Sequence, residues 1–235
     1  MKAESAKQFI EKTRSGYNAI AESFSRTRAT LWPALYLFKD YIREANKVLD
    51  IGCGNGRLIN LFNDKEIDYL GIDYSEPLVE IARENFPDKK FEVGDLLDLR
   101  QPSDEFDVVF LIAVLHHIPS DKLRKRALKQ VHKVLKPGGY LLMTNWNLWQ
   151  MRFWRYHLKF YQERKKGSID LDPGDIIREW GGTGNFRYVH AFTLNELNEL
   201  AQATGFKVVV NKYVKYSGKK GNFIHSQNIF TILQK

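Results

Sequence analysis

Polar and apolar positions along the chain change period several times. Residues 4–25 and 33–45 carry apolar residues at helical spacing, and Trp32-Pro33 separates them at a point where proline suits a first helical turn. Lys47–Ile51 is an apolar strand that ends in a glycine turn, and Asn55–Phe62 then opens a helix. Asp68–Asp73 reads as a second strand, Glu76–Phe86 as a helix, Phe91–Gly94 as a short third strand and Phe106–Leu111 as an almost wholly apolar fourth. Lys122–Leu135 is a helix stopped by Pro137-Gly138-Gly139, and Tyr140–Asn145 is a fifth strand. Strands alternating with helices imply right-handed crossovers and a mostly parallel sheet covered on both faces.

The alternation breaks over residues 147–190, which are aromatic, basic and weakly periodic and contain the cluster Gly181-Gly182-Thr183-Gly184. Regularity resumes at Thr193, an N-cap with Glu196 three residues on, and that helix ends at Gly205. Phe206–Tyr216 and Asn228–Leu233 are joined by a connection too short for a crossover helix, so they should pair antiparallel. One domain is expected, in four parts: N-terminal cap helices over 1–46, a core over 47–146, a basic and aromatic insertion over 147–192, and a helix with a strand pair over 193–235.

The chemistry concentrates at the first turn, Asp50-Ile51-Gly52-Cys53-Gly54-Asn55-Gly56. It follows a buried strand and opens a helix, as a nucleotide-binding glycine loop must. Asp73 ends the next strand, twenty-one residues after Gly52, where a carboxylate can accept both hydroxyls of a ribose. The G-x-G-x-G spacing is not the G-x-G-x-x-G of dinucleotide enzymes. Asp50 would repel a pyrophosphate but suits a cationic amino-acid tail. Gly94-Asp95-Leu96, at the third strand end, can hydrogen-bond an adenine amino group.

These features resemble the class I S-adenosylmethionine-dependent methyltransferases. The resemblance rests on VLDIGCGNG, GIDYS, VGDLLDL, FDVVFLIAVLHHI and VLKPGGYLL, in order over residues 48–142. It implies a Rossmann-like α/β fold: a mostly parallel seven-stranded sheet, a C-terminal antiparallel strand pair and helices on both faces. It also implies a cofactor site formed by Tyr17, Asp50, Gly52, Gly54, Asn55, Gly56, Asp73, Tyr74, Ser75, Asp95, Leu96 and Ile112.

The flanks bear on the acceptor. The segment from Tyr17 to Arg28 is similar to a helix that caps the cofactor in many class I enzymes, with Trp32-Pro33 close behind. SDKLRKR follows His116-His117, Asn145-Trp146-Asn147 follows the fifth strand, and RYVHAF spans 187–192. Together these resemble the family that converts 5-carboxymethyluridine at the tRNA wobble position to its methyl ester. That resemblance implies tRNA as partner, with a small zinc-binding activator protein in some members. It makes Arg28 and Arg187 candidates to hold the acceptor carboxylate. His116 divides between substrate positioning and loop packing, whereas His117 is expected to be structural.

Charge distribution fits a polyanionic partner. The net charge is +4 over residues 1–47, −9 over 48–119 and +13 over 120–235. Lys122, Arg124, Lys125, Arg126, Arg152 and Arg155 are the expected nucleic-acid contacts, against the simpler reading of solvated helix faces and an aromatic core in the insertion. The rivals are a small-molecule methyltransferase of quinone or lipid type, a non-catalytic cofactor-binding RNA-binding or regulatory subunit, and a dinucleotide oxidoreductase. Lone Cys53 excludes an internal disulfide framework and a cysteine-cluster metal site. No apolar run approaches about 18 residues, so no membrane-spanning helix is expected. The charged N-terminal stretch lacks the apolar region of a signal peptide, and a cytoplasmic protein is expected.

Overall fold

The computed structural model describes residues 1–28, 30–180 and 184–235, so Gly181, Gly182 and Thr183 of the glycine cluster lie outside the described residues. Two helices open the chain, α1 (Ala3–Ala19) and α2 (Ala21–Arg26). The alternating part follows as β1 (Lys47–Ile51), β2 (Asp68–Asp73), α3 (Glu76–Asn85), β3 (Lys90–Val93), β4 (Phe106–Ile112), α4 (Asp121–Val134) and β5 (Leu135–Trp146). Then come α5 (Trp154–Lys165), β6 (Asp175–Glu179), β7 (Phe186–His190), α6 (Leu194–Ala203), β8 (Lys207–Val214) and β9 (Asn228–Gln234).

Seven strands form one sheet in the order β3-β2-β1-β4-β5-β9-β8. The first five are parallel, and β9 runs antiparallel to both β5 and β8. This is the expected Rossmann-like sheet. Chain order reverses between β1 and β4, which opens a crevice at their carboxyl ends, where open α/β sheets bind ligands.

Alternation along the strands sorts the core into two layers. Leu49, Ile51, Val109, Leu111, Leu141 and Met143 join one cluster with residues of α4 and α6. Val48, Val108, Phe110 and Leu142 join the other, with Phe38, Leu61 and Val79. Period-2 geometry puts neighbouring residues on opposite faces, so near-continuous apolar strands feed both layers.

Three local readings differ from the structure. The first helix breaks at Ile20 (φ −115°, ψ 8°), which folds α2 back and brings the Tyr17 and Phe24 rings within 5.7 Å. Pro33–Tyr41 and Arg57–Phe62 are 3-10 rather than α-helical. The insertion is also more regular than its pattern suggests. It holds α5 and the β6–β7 hairpin around a small core of its own, which includes Leu148, Phe160, Ile176 and Val189. That hairpin packs on α1, with Tyr188 N–H donating to Thr13 Oγ1 at 3.2 Å. The insertion thereby roofs the crevice.

Candidate active site

The turn after β1 winds through three left-handed glycines: Gly52 at φ +73°, Gly54 at +56° and Gly56 at +78°. Two of them have no room for a side chain. A Cβ on Gly52 would lie 2.4 Å from Val114 Cγ2, and one on Gly56 would lie 2.9 Å from Phe91 Cζ. Gly56 therefore packs against the aromatic wall behind the turn, while Gly52 and Gly54 line a cavity of about 380 Å³ at the sheet's carboxyl edge.

Asp73 is the hinge of this site. It is buried, and its two oxygens accept N–H groups of Gly54 and Ser75, each at 2.9 Å. A carboxylate has about four acceptor positions, so lone pairs remain for a diol. Ser75 acts behind Asp73 rather than in the cavity. Asp50 is buried beside the turn and accepts the Tyr69 hydroxyl at 2.8 Å. Burial pushes Asp50 up to about 7 and Asp73 up to about 6. Both are poised to gain from a cation or from hydroxyl donors. Asp95 lines the cavity at the end of β3 and accepts Leu97 N–H at 2.8 Å; Tyr74, Leu96 and Ile112 complete that wall.

Asn55 lines the cavity, as expected, and also joins it to the N-terminal cap. Its amide donates to Ser25 Oγ at 3.1 Å and to the Arg28 carbonyl at 3.4 Å, so it ties the turn to the N-terminal cap. Tyr17, in that cap, lines the cavity with Phe24 and Arg28.

For the histidines, the structure places His116 in the packing reading that was one of its two, and His117, expected to be structural, at the cavity. His117 lines the cavity and His116 does not. Successive residues of the 3-10 turn Leu115–His117 point about 120° apart, so only one of the pair can face the crevice. His117 Nδ1 lies 2.9 Å from the Tyr188 carbonyl and must donate to it. Its Nε2 is then an acceptor, and the Tyr17 hydroxyl, 3.0 Å away, donates. Burial holds His117 down to about 3 and His116 well below the usual range. Both are neutral at neutral pH. His116 is fully buried and packs against Trp146, with ring centres 4.5 Å apart and planes tilted by 35°.

Two candidate arginines converge on one indole. The Arg28 guanidinium lies 4.5 Å from the Phe24 ring centre and 4.9 Å from that of Trp180. The Arg187 guanidinium lies 3.9 Å from Trp180 and 4.7 Å from Trp146. Arg187 Nε and Nη1 are buried without a hydrogen-bond partner. Burial lowers both arginines from their ordinary value, and the Tyr17 hydroxyl offsets part of this for Arg187.

Sequence reasoning passed over Arg57, which follows Gly56 directly. It lines the cavity, its guanidinium lies 5.2 Å from the Trp32 ring centre, and burial lowers it to about 10. A cation in the first turn after the glycines was a readable signal. Trp180 falls among the aromatic residues of 147–190, and nothing local shows that the hairpin carries it to the crevice.

Of the expected nucleic-acid contacts, Lys122, Arg126, Arg152 and Arg155 are exposed and Lys125 is half-buried, pairing with Asp121 at 2.7 Å. Arg124 is not on the surface. It is 2% exposed and donates to the Ile118 carbonyl and the Tyr188 hydroxyl, both at 3.3 Å. Helical spacing turns it onto the face of α4 that carries Ala127, Leu128 and Val131. It belongs to a buried network in which His190 lies 2.6 Å from both Asp175 and Glu196. Alternation along β7 then sends Tyr188 and His190 to that network and Arg187 to the other face, against the Trp146 and Trp180 rings that line the cavity; Arg187 itself is not among the lining residues.

Residues 23–211 match the methyltransferase domain family. The chain belongs to that family. A tRNA (carboxymethyluridine(34)-5-O)-methyltransferase of Arabidopsis thaliana is 34% identical over 143 residues, 61% of this chain and 34% of that protein. This chain thus spans about a third of that relative's length. A Schizosaccharomyces pombe protein of the same name is 27% identical over 219 residues, 84% of this chain and 89% of its own. Among solved structures, a SAM-dependent methyltransferase from Methanosarcina mazei superposes with a TM-score of 0.72 at 24% identity, covering 88% of this chain and 98% of that one. A methyltransferase in complex with the Haloferax volcanii Trm112 methyltransferase activator superposes at 0.64 with 18% identity, covering 94% and 96%. Fold and family agree with the expectation drawn from the glycine turn.

Proposed function

We propose that this methyltransferase uses S-adenosylmethionine to esterify the carboxylate of 5-carboxymethyluridine at the wobble position of tRNA. The cofactor fits the donor set. Asp73 suits the ribose hydroxyls, Asp50 an ammonium, Arg57 a carboxylate, and Leu96 and Ile112 a flat apolar ring. When bound, it supplies a methyl group made electrophilic by a sulfonium.

The observation that carries the acceptor assignment is Arg187. Two of its buried N–H donors are unpaired against the Trp146 and Trp180 rings that line the cavity, and a guanidinium fork matches a carboxylate. The acceptor is already ionised near neutral pH, so no base is needed. His117, which lines the cavity, is engaged at both nitrogens, one donating to a carbonyl and the other accepting from Tyr17. Arg187, and Arg28 across Trp180, orient one carboxylate oxygen while leaving the other free to react. Residues of α1 and Trp180 cover the cavity.

The two relatives' names support this acceptor. A small zinc-binding activator is part of the proposal, supported by the activator-bound neighbour, and so is a cytoplasmic site of action. Among the described residues no helix is long and apolar enough to cross a membrane. The test is transfer of a labelled methyl group to total tRNA followed by nucleoside analysis. The label should appear in a base-labile wobble uridine ester; label in a ring or amine position would refute the acceptor.

A further inference from the structure

Between the cavity and α5 a row of guanidinium groups and aromatic rings alternates across the N-terminal cap, the end of β5 and the insertion. Arg28 sits between Phe24 and Trp180, and Arg187 between Trp180 and Trp146. Arg178 stands directly opposite Arg187 in the β6–β7 register. Its guanidinium lies 4.9 Å from the Phe153 ring centre, and Arg152 lies 4.8 Å from the same ring. Among the described residues none of these four arginines has an ion-pair partner. Arg178 Nε, like Arg187 Nε and Nη1, is buried and unpaired.

Such a row is costly to the free protein. Like charges directly opposite on adjacent strands destabilise a hairpin, and buried N–H donors without acceptors add to that. Neighbouring arginines lower one another: Arg178 lowers both Arg152 and Arg187. Elsewhere this chain pairs its cations readily, as in Lys125–Asp121 and Lys136–Asp107. The row ends on α5, where Arg155 and Lys159 are exposed and Trp154 is 60% exposed.

We infer that this row is a binding track for an unpaired RNA segment, along which phosphates follow the arginines and bases stack on the rings. The inference rests on the proposed tRNA acceptor and says how the acceptor nucleotide reaches the cavity. Phosphates supply the missing acceptors, two at a time on a guanidinium fork. Phe153 is buried and props Arg152 and Arg178, while the half-buried Trp146 and Trp180 and the exposed Trp154 favour an unpaired strand, because only splayed bases offer their faces for stacking. A duplex would present phosphates alone.

The test uses the full chain and a fluorescent synthetic anticodon stem–loop, with anisotropy read over a salt series. Arg152→Gln with Arg178→Gln should weaken binding at least about tenfold and flatten the log–log salt slope by about 1.4, two single-strand phosphates' worth. Arg152→Gln alone, at an exposed position, should flatten it by about 0.7. Arg152→Lys with Arg178→Lys should keep the slope and lose part of the affinity, since charge survives but stacking does not. Lys133→Gln, at the amino edge of the sheet, should change nothing. Calorimetric cofactor affinity in each sample reports an intact fold. A glutamine pair with wild-type affinity and slope overturns the track while leaving the acceptor reading standing. Equal binding of a fully paired duplex overturns the single-strand assignment. A wild-type chain that binds no stem–loop overturns the acceptor reading and the track together.

Discussion

Acidification from about pH 7.5 to about pH 6 should weaken S-adenosylmethionine binding roughly eightfold through Asp50 alone. Its carboxyl is held up to about 7 by burial, with only the Tyr69 hydroxyl as a direct partner. At the higher pH about three-quarters of the protein carries the Asp50 anion, and at the lower about one-tenth. A ligand ammonium pairs only with the anion, so affinity follows that fraction. Asp73, held up to about 6, contributes about a further twofold. Isothermal calorimetry across this range gives the curve directly. Asp50→Asn should bind the cofactor weakly and keep only the shallow Asp73 dependence. Affinity that is flat, or that rises on acidification, would refute the pairing of Asp50 with the ammonium. On the free protein the same groups act with opposite sign. Both folded values exceed the ordinary 3.8, so their stabilisation is complete below about pH 4 and is lost as pH rises through 6 and 7.

Three further outcomes follow from the same geometry. Asp73→Ala should weaken cofactor binding by roughly 1–3 kcal/mol, because it leaves buried hydroxyl donors unpaired; unchanged affinity would remove Asp73 from the ribose. Gly52→Ala should lower stability by about 1–3 kcal/mol in a denaturant titration, since its Cβ meets Val114 in a left-handed turn, and an unshifted midpoint would contradict that. Lys122, Lys125 and Arg126 replaced together by Ala should weaken tRNA binding and spare cofactor binding; normal tRNA binding would leave that face of α4 simply solvated.

The sheet was legible because its signals are local and redundant. Strand runs such as FDVVFL are almost wholly apolar, glycines mark the turns, and Asp73 ends a strand at the correct distance from Gly52. The site's roof was not. Residues 147–190 gave no clear period, because α5 buries only Phe160 firmly and leaves Trp154, Leu158 and Tyr161 exposed. Helical phase decided Arg124, which sits two positions from exposed Lys122 and Arg126 yet faces the core. Phase in a tighter turn decided His116 against His117. Both outcomes depend on which way a short element is rotated, and rotation is set by tertiary packing that a charge run or a His-His pair does not encode. Arg187 was found from a family-like segment; its unpaired donors became visible only when β7 was seen against the two tryptophans.

The most direct measurement compares two synthetic anticodon stem–loops, identical except that one bears 5-carboxymethyluridine and the other uridine at the wobble position. Each is incubated with the chain, the activator where required, and S-adenosylmethionine carrying a labelled methyl group. Only the carboxymethyl RNA should be labelled, and mild base should release the label as methanol. Arg187→Gln should depress turnover on that RNA by roughly 1.5–3 kcal/mol, about ten- to a hundredfold or more, while cofactor affinity holds. Equal labelling of both RNAs, or a base-stable label, would contradict the ester assignment.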